Sequence, residues 1–167
     1  MPCYPILRKQ WPPCRDLRGV TQKDIPARRF IDTYPSRFEV RVLFSDMDVF
    51  RHLNNGAIGR FLEEGRAALN MAVFGRECLT APTDGQQMLF VSITCDFLRQ
   101  AYYPGTMEIG TGVLRIGTSS YAFAQAAFQH GECCALAETV LVKAINGRSA
   151  PLSDEQQAAL RAMSLRA

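Results

Sequence analysis

One long helical stretch followed by four strand-length runs limits what this chain can fold into. From Asn54 or Asn55 to Phe74, the residues Ile58, Phe61, Leu62, Gly65, Leu69, Ala72 and Val73 recur at helical spacing. Either Asn suits the helix start, and Gly75 suits its end. Gly65 inside the helix costs about 1 kcal/mol relative to Ala, which predicts that a strand or another chain comes close there. Runs over residues 88–98, 106–116, 121–129 and 133–145 then read as strands. Tyr103-Pro104-Gly105, Gly117-Thr118-Ser119-Ser120 and His130-Gly131-Glu132 read as the turns between them, so an antiparallel meander is expected.

Ahead of the helix, residues 37–44 alternate, with Phe38, Val40, Val42 and Phe44 on one face of a first strand. In the run 88–98, Leu89, Val91, Ile93, Cys95 and Phe97 share a face. Residues 146–151 are expected to end the sheet. Ser153 with Gln156 forms a capping box that opens a short helix to about Met163. The order strand, long helix, four strands, short helix implies an α+β fold. A five-stranded antiparallel sheet wraps one long helix, the hotdog arrangement, with a short C-terminal helix added.

With 167 residues, 47% of them apolar and 21% charged, the chain suits one folded domain rather than a disordered segment. Residues 1–35 hold six of the nine prolines and seven Lys/Arg against three Asp. They read as an irregular N-terminal extension, with residues 36–167 as the domain. The domain then carries twelve Lys/Arg against thirteen Asp/Glu and offers no basic stripe for nucleic acid. The apolar runs are too short to span a membrane. The six cysteines form no Cys-x-x-Cys pair and only two His are present, so no metal site is expected. Cys133 and Cys134 are expected on opposite faces of their strand, and reduced thiols suit a cytoplasmic location.

Polar density peaks between residues 44 and 56, where the first strand hands over to the helix. Asp46, Asp48, His52, Asn54, Asn55 and Gly56 crowd this connection, and such groups are costly to bury unless paired or used. A helix N-terminus offers unpaired N–H groups and partial positive charge. A carboxylate beside it suits chemistry on a carbonyl. Asp46, two residues from Asp48, reads as structural, His130 as a solvated turn residue, and Glu63 with Arg66 as an exposed helix pair.

Asp46-Met47-Asp48-Val49-Phe50-Arg51-His52-Leu53-Asn54-Asn55, followed by Phe61-Leu62-Glu63-Glu64-Gly65-Arg66, resembles the motif of the hotdog thioesterases. Among its branches, the chain most resembles the 4-hydroxybenzoyl-CoA thioesterase group. The likeness continues in Asp96-Phe97-Leu98-Arg99, in Gly117-Thr118-Ser119-Ser120 and from Gly147-Arg148 to Pro151-Leu152. It implies hydrolysis of an acyl-CoA to free acid and thiol without metal or cofactor, by a homodimer or tetramer whose sheets join edge to edge. Asp48 falls on the family's acidic catalytic residue, as base or nucleophile, and the Asn55 amide on the group that polarises the carbonyl. His52 orients Asp48 or meets substrate. Asn54, Gly56 and Phe61 fall near the acyl group, and Ser119, Ser120 and Arg148 near the nucleotide of CoA. Arg51 departs from the family, whose motifs usually have a small residue, often Gly, before the His. A non-catalytic acyl-CoA or lipid-binding protein of the same fold is the alternative.

Overall fold

The computed structural model describes residues 25–76 and 85–166. Most of the expected N-terminal extension, Cys3, Cys14, Cys78 and the loop residues Pro82 and Asp84 lie outside the described residues. Strand β1 (Ser36–Arg41) leads through a single turn at Phe44–Asp46 to helix α1 (Asn55–Phe74). Strands β2 (Gln86–Phe97), β3 (Thr106–Ile116), β4 (Ser120–Gln129), β5 (Glu132–Ile145) and β6 (Arg148–Ser149) follow, then helix α2 (Asp154–Ala162). This is the α+β hotdog fold, a curved antiparallel sheet wrapped around one long helix.

Local chemistry sets the helix ends. The Asn54 side chain accepts the Gly56 N–H at 2.7 Å, and Gly75 closes α1 at φ 81°. Gly65 faces β3 so closely that a Cβ there would come within 2.5 Å of Ile109. The cost of glycine in mid-helix therefore permits helix-to-sheet contact. Ser153 and Gln156 cap α2 reciprocally.

The sheet order is β1-β3-β4-β5-β2, with every pairing antiparallel. This corrects the four-strand meander. Of those four strands, only β3, β4 and β5 are joined by tight turns. Residues 98–105 instead carry the chain from β2, at the edge beside β5, across to β3, which lies between β1 and β4. Pro104-Gly105 is only the end of that crossing. Residues 146–151 do not simply end the sheet either, because the Asn146-Gly147 turn lets Arg148–Ser149 pair back on β5 as a sixth strand. Strand β1 stops at Arg41, which leaves Phe44 76% exposed against Tyr103 rather than on the inner face. The face expected in β2 is interrupted at Val91, where the register shifts between Phe90 and Ser92.

The inner face of the sheet packs on α1 through Ile109, Ala127, Ala135 and Ala137 against Leu53, Ile58, Phe61 and Leu62. The outer face holds Ala124, Ala126, Phe128, Cys133 and Leu136 around buried Tyr34. Cys133 and Cys134 belong to these opposite clusters. Residues 25–35, placed in the extension by sequence, lie on this outer face. Arg28 is buried and pairs with Glu138 of β5 at 2.5 Å, and Tyr34 Oη donates to the Arg28 carbonyl. Gly110 and Gly112 give this segment room: Cβ atoms there would strike Tyr34 at 2.6 Å, and Pro35 and Leu165 at 2.6–2.9 Å.

Candidate active site

The connection from β1 to α1 is a small closed loop. Met47 and Leu53 bridge its base. The Asp48 N–H donates to the His52 carbonyl at 3.0 Å, and the Arg51 N–H donates to the Asp48 carbonyl at 3.1 Å. Val49 and Phe50 form its exposed tip, and Arg51 turns the chain at φ 64°. A left-handed conformation is costly for a residue with a Cβ, so glycine would sit here at lower cost than Arg51.

The two aspartates differ in partners. Asp46 is 3% exposed, accepts the Leu43 N–H at 2.8 Å and pairs with Arg60. It anchors the loop to α1, in keeping with the structural role expected of it. Asp48 keeps a side chain 17% exposed. One carboxylate oxygen accepts the Phe50 N–H at 2.8 Å, and the other lies 3.5 Å from His52 Nδ1. That ring nitrogen also lies 3.1 Å from the Leu53 carbonyl, and the ring stacks on Phe50 at 6.0 Å. Arg51 forms no ion pair with Asp48 among the described residues.

The first amide of α1 is open. None of the hydrogen bonds among the described residues uses the Asn55 N–H. Asn55 borders a cavity of about 200 Å³ whose other walls include His52, Ile58, Phe97, Arg99 and Ala101. The far wall is the crossing segment, pinned where the Leu53 N–H donates to the Ala101 carbonyl at 2.7 Å and the Leu98 N–H to the Cys134 carbonyl at 2.8 Å. Sequence reading missed this wall. The resemblance in Asp96-Phe97-Leu98-Arg99 was the available signal, but only the sheet order brings it to the helix start.

His52 and Asn55 thus share one cavity, and Asp48 adjoins it through His52. Asn54 is engaged as the helix cap, and a Cβ at Gly56 would meet the Asn54 side chain at 3.0 Å. Phe61 is 2% exposed and stands within the core beneath the Arg60 guanidinium. Ser119, Ser120 and Arg148 lie elsewhere. The Ser119 carbonyl accepts the Lys143 N–H and Arg148 pairs with Ile145, whereas the cavity end of β5 is at Cys134. Nine residues of strand separate Cys134 from Lys143, about 30 Å.

Arg66 corrects another expectation. It is buried rather than exposed beside Glu63, because it falls on the inward stripe with Leu62 and Leu69. Its Nη1 donates to Gln125 Oε1 at 3.1 Å. Burial lowers the Arg66 pKa from its ordinary value, and the nearby Glu63 charge works against that shift.

Comparison with known proteins gives the fold a family. No curated protein matches the chain. A solved protein from Pseudomonas aeruginosa is 26% identical, with a TM-score of 0.71 over 83% of this chain and 98% of the other. A Thermus thermophilus thioesterase, solved with coenzyme A and zinc, is 25% identical, with a TM-score of 0.69 over 81% of this chain and 98% of the other. A protein from Bacillus stearothermophilus, described as a predicted thioesterase, shares the fold at 24% identity, with a TM-score of 0.72 over 79% and 98% of the two chains. The family model of the thioesterase-like superfamily matches residues 42–160, and the chain belongs to that superfamily.

Proposed function

We propose that the protein hydrolyses acyl-CoA or aroyl-CoA thioesters, in the manner of the 4-hydroxybenzoyl-CoA thioesterase branch. The observation that carries this is the unused backbone N–H of Asn55, a cavity-lining residue at the start of a twenty-residue helix, with the partly exposed Asp48 carboxylate beside the cavity-lining His52. The Asn55 N–H and the positive end of α1 stabilise the negative charge that builds on the thioester oxygen. Asp48 activates water or attacks the carbonyl itself. If Asp48 activates water, it takes the water proton as the C–O bond forms and the C–S bond breaks, and that proton passes to the leaving thiolate. If Asp48 attacks, a mixed anhydride forms as the thiolate leaves. Water then cleaves the anhydride to the free acid, restoring the carboxylate and supplying the thiol proton. His52 holds Asp48 from one side and the Phe50 N–H holds it from the other. Asn54 and Gly56 shape the helix start, and Phe61 backs the acyl site from the core. Coenzyme A as the leaving thiol is favoured by the Thermus relative solved with that ligand. The chain uses its own groups, without metal or cofactor.

The working unit in this proposal is a homodimer, or a tetramer built from two dimers, joined along β2. That strand is a twelve-residue edge with Phe90, Val91, Ile93 and Phe97 39–54% exposed. Antiparallel pairing of two β2 edges would bring Ser119, Ser120 and Arg148 of one copy toward the cavity of the other. This resolves their 30 Å separation within one chain, about nine residues of strand, and suits them to the CoA nucleotide. No helix among the described residues is long and apolar enough to cross a membrane. Free thiols at Cys95, Cys133 and Cys134 favour a reducing, cytoplasmic setting.

A panel of acyl-CoA and aroyl-CoA substrates with a thiol reagent tests the reading. Thiol release should fall by at least about 100-fold in Asp48→Asn, with CoA-thioester binding retained. Turnover unchanged in that variant would remove Asp48 from the chemistry. The Phe50 N–H already occupying one Asp48 oxygen favours the rival, a non-catalytic acyl-CoA binder. Binding of the panel without any release would establish that rival.

A further inference from the structure

Helix α1 packs chiefly on β1, β3 and β4. The inner side of β2 is left partly open, with Phe97 and Cys95 near the cavity and Phe90 toward the other end. This strip is apolar until it reaches Phe90. There the Arg66 guanidinium lies 5.4 Å from the ring centroid. Arg66 is 8% exposed, yet no carboxylate forms an ion pair with it among the described residues. Its one hydrogen-bond acceptor is a neutral amide oxygen.

That amide is fixed in direction. Gln125 Nε2 donates to the Leu62 carbonyl at 2.8 Å and to Thr111 Oγ1 at 3.1 Å. Thr139 Oγ1 donates to Gln125 Oε1 at 3.4 Å. Three polar side chains of the sheet, Gln125, Thr111 and Thr139, together with the Leu62 carbonyl, therefore hold one guanidinium beside the strip. Arginine stays charged and offers five N–H donors in a planar fork. A buried cation with a single neutral acceptor is costly unless an anion completes it.

We propose that Arg66 is a specificity residue, and that it receives a carboxylate at the far end of the acyl group. The preferred substrates are then thioesters of dicarboxylic acids, with the thioester at Asn55 and the free carboxylate at Arg66. Eleven residues of helix separate the two, about 16 Å, which sets the scale of acyl chain that spans them. The partial exposure of Phe90, at 54%, leaves an approach to the cation. A fork-to-carboxylate contact is charge-assisted and directional. This inference rests on the thioesterase reading for the acyl group, but its test does not require hydrolysis.

Hydrolysis-resistant CoA thioethers provide that test. Calorimetry on the full chain compares S-(ω-carboxyalkyl)-CoA with S-alkyl-CoA of equal length, over a series of lengths. The carboxylate should strengthen binding about tenfold at the length that spans the strip, the scale of a hydrogen bond to a charged group. Arg66→Gln should abolish that advantage and leave S-alkyl-CoA affinity unchanged. No preference for the carboxylate in the unaltered protein at any length would overturn the proposal, whether or not the variant folds. Equal weakening of both ligands in a folded Arg66→Gln, or its conversion to monomer, would also overturn it, since Arg66 would then serve the fold or the interface. Thiol release from plain acyl-CoA with no carboxylate preference defeats this inference alone. A carboxylate preference in thioether binding with no thiol release from any substrate defeats hydrolysis alone.

Discussion

Strands β4 and β2 belong to one sheet and have similar apolar content, but they meet different surroundings. In β4, nine of ten positions are buried, with α1 on one side and the Arg28–Tyr34 segment on the other. No residue of β2 is fully buried, although it carries Met88, Leu89, Phe90, Val91, Ile93 and Phe97. The contrast comes from neighbours, not composition. Strand β4 has a strand on each side, whereas β2 has one neighbour and ends the sheet. An apolar edge with part of its inner face open is an unfinished surface. In β4 the same chemistry supplies stability; in β2 it is left exposed, as the face proposed for ligand and partner.

The largest test of that contrast pairs two phenylalanines. Phe123 is 0% exposed on β4, while Phe97 is 44% exposed on β2. Phe123→Ala should cost about 3–5 kcal/mol, the range for a large-to-small change in a core. Phe97→Ala should cost less than about 1 kcal/mol in the isolated chain and act instead on thioester affinity or self-association. Urea unfolding and sedimentation on both variants check this. Equal losses of stability would mean that β2 is as much part of the core as β4.

The outer cover of the sheet gives the next effect. Arg28 is 4% exposed and Glu138 has a side chain 17% exposed. Cutting a buried pair costs about 3–5 kcal/mol, and water reaching Glu138 lowers the expectation to about 2 kcal/mol. Arg28→Met should show that loss in thermal unfolding. Arg28→Met combined with Glu138→Leu should recover most of it. A single variant as stable as the parent would show that the segment only rests on the sheet.

Local signals survived the passage from sequence to structure; neighbour relations did not. The Asn54 cap, the stop at Gly75, the close approach at Gly65 and the Ser153–Gln156 box were all legible, because each depends on residues a few places apart or on the absence of a side chain. Strand alternation says which face is inward but not which strand stands alongside, so β2 was given the wrong neighbour. The Val91 bulge and the pairing of Arg148–Ser149 depend on the partner strand β5 and were equally hidden. At the candidate site, the loop from Asp46 to Asn55 was legible as a polar cluster. The wall at residues 97–101 was not, because it arrives by the crossing from β2 to β3. Arg66 was misjudged by its charge, although its spacing from Leu62 and Leu69 already placed it inward.

The loop that begins the site carries a smaller and opposite effect. Arg51 sits at φ 64°, and its side chain makes no ion pair among the described residues. Arg51→Gly should therefore stabilise the chain by about 1 kcal/mol, the strain that a Cβ pays in a left-handed turn, less the entropy that glycine adds to the unfolded chain. Thermal unfolding reads the gain. A loss would show that the guanidinium holds the loop by contacts that outweigh the backbone strain.

The last test returns to buried and open surroundings through two thiols, Cys133 on β5 and Cys95 on β2, and it shows only at alkaline pH. Burial, helped by Cys134, pushes the Cys133 thiol up to about 12, and burial, helped by Asp96, pushes Cys95 on β2 up to about 11, both from an ordinary 9.0. An acid whose pKa rises on folding keeps its proton in the native chain after the unfolded chain has lost it. The native state then binds more protons, so stability falls as pH rises. The fall should begin near pH 9 and be complete for Cys95 by about 11 and for Cys133 by about 12. Tyr34, buried under the same outer face as Cys133, shifts in the same direction. Cys133→Ala should flatten the alkaline loss of stability more than Cys95→Ala does, as read by urea midpoints from neutral pH upward. If Cys95→Ala has the larger effect, the β2 strip is drier than its open edge suggests, which is the outcome expected if a second copy closes over it.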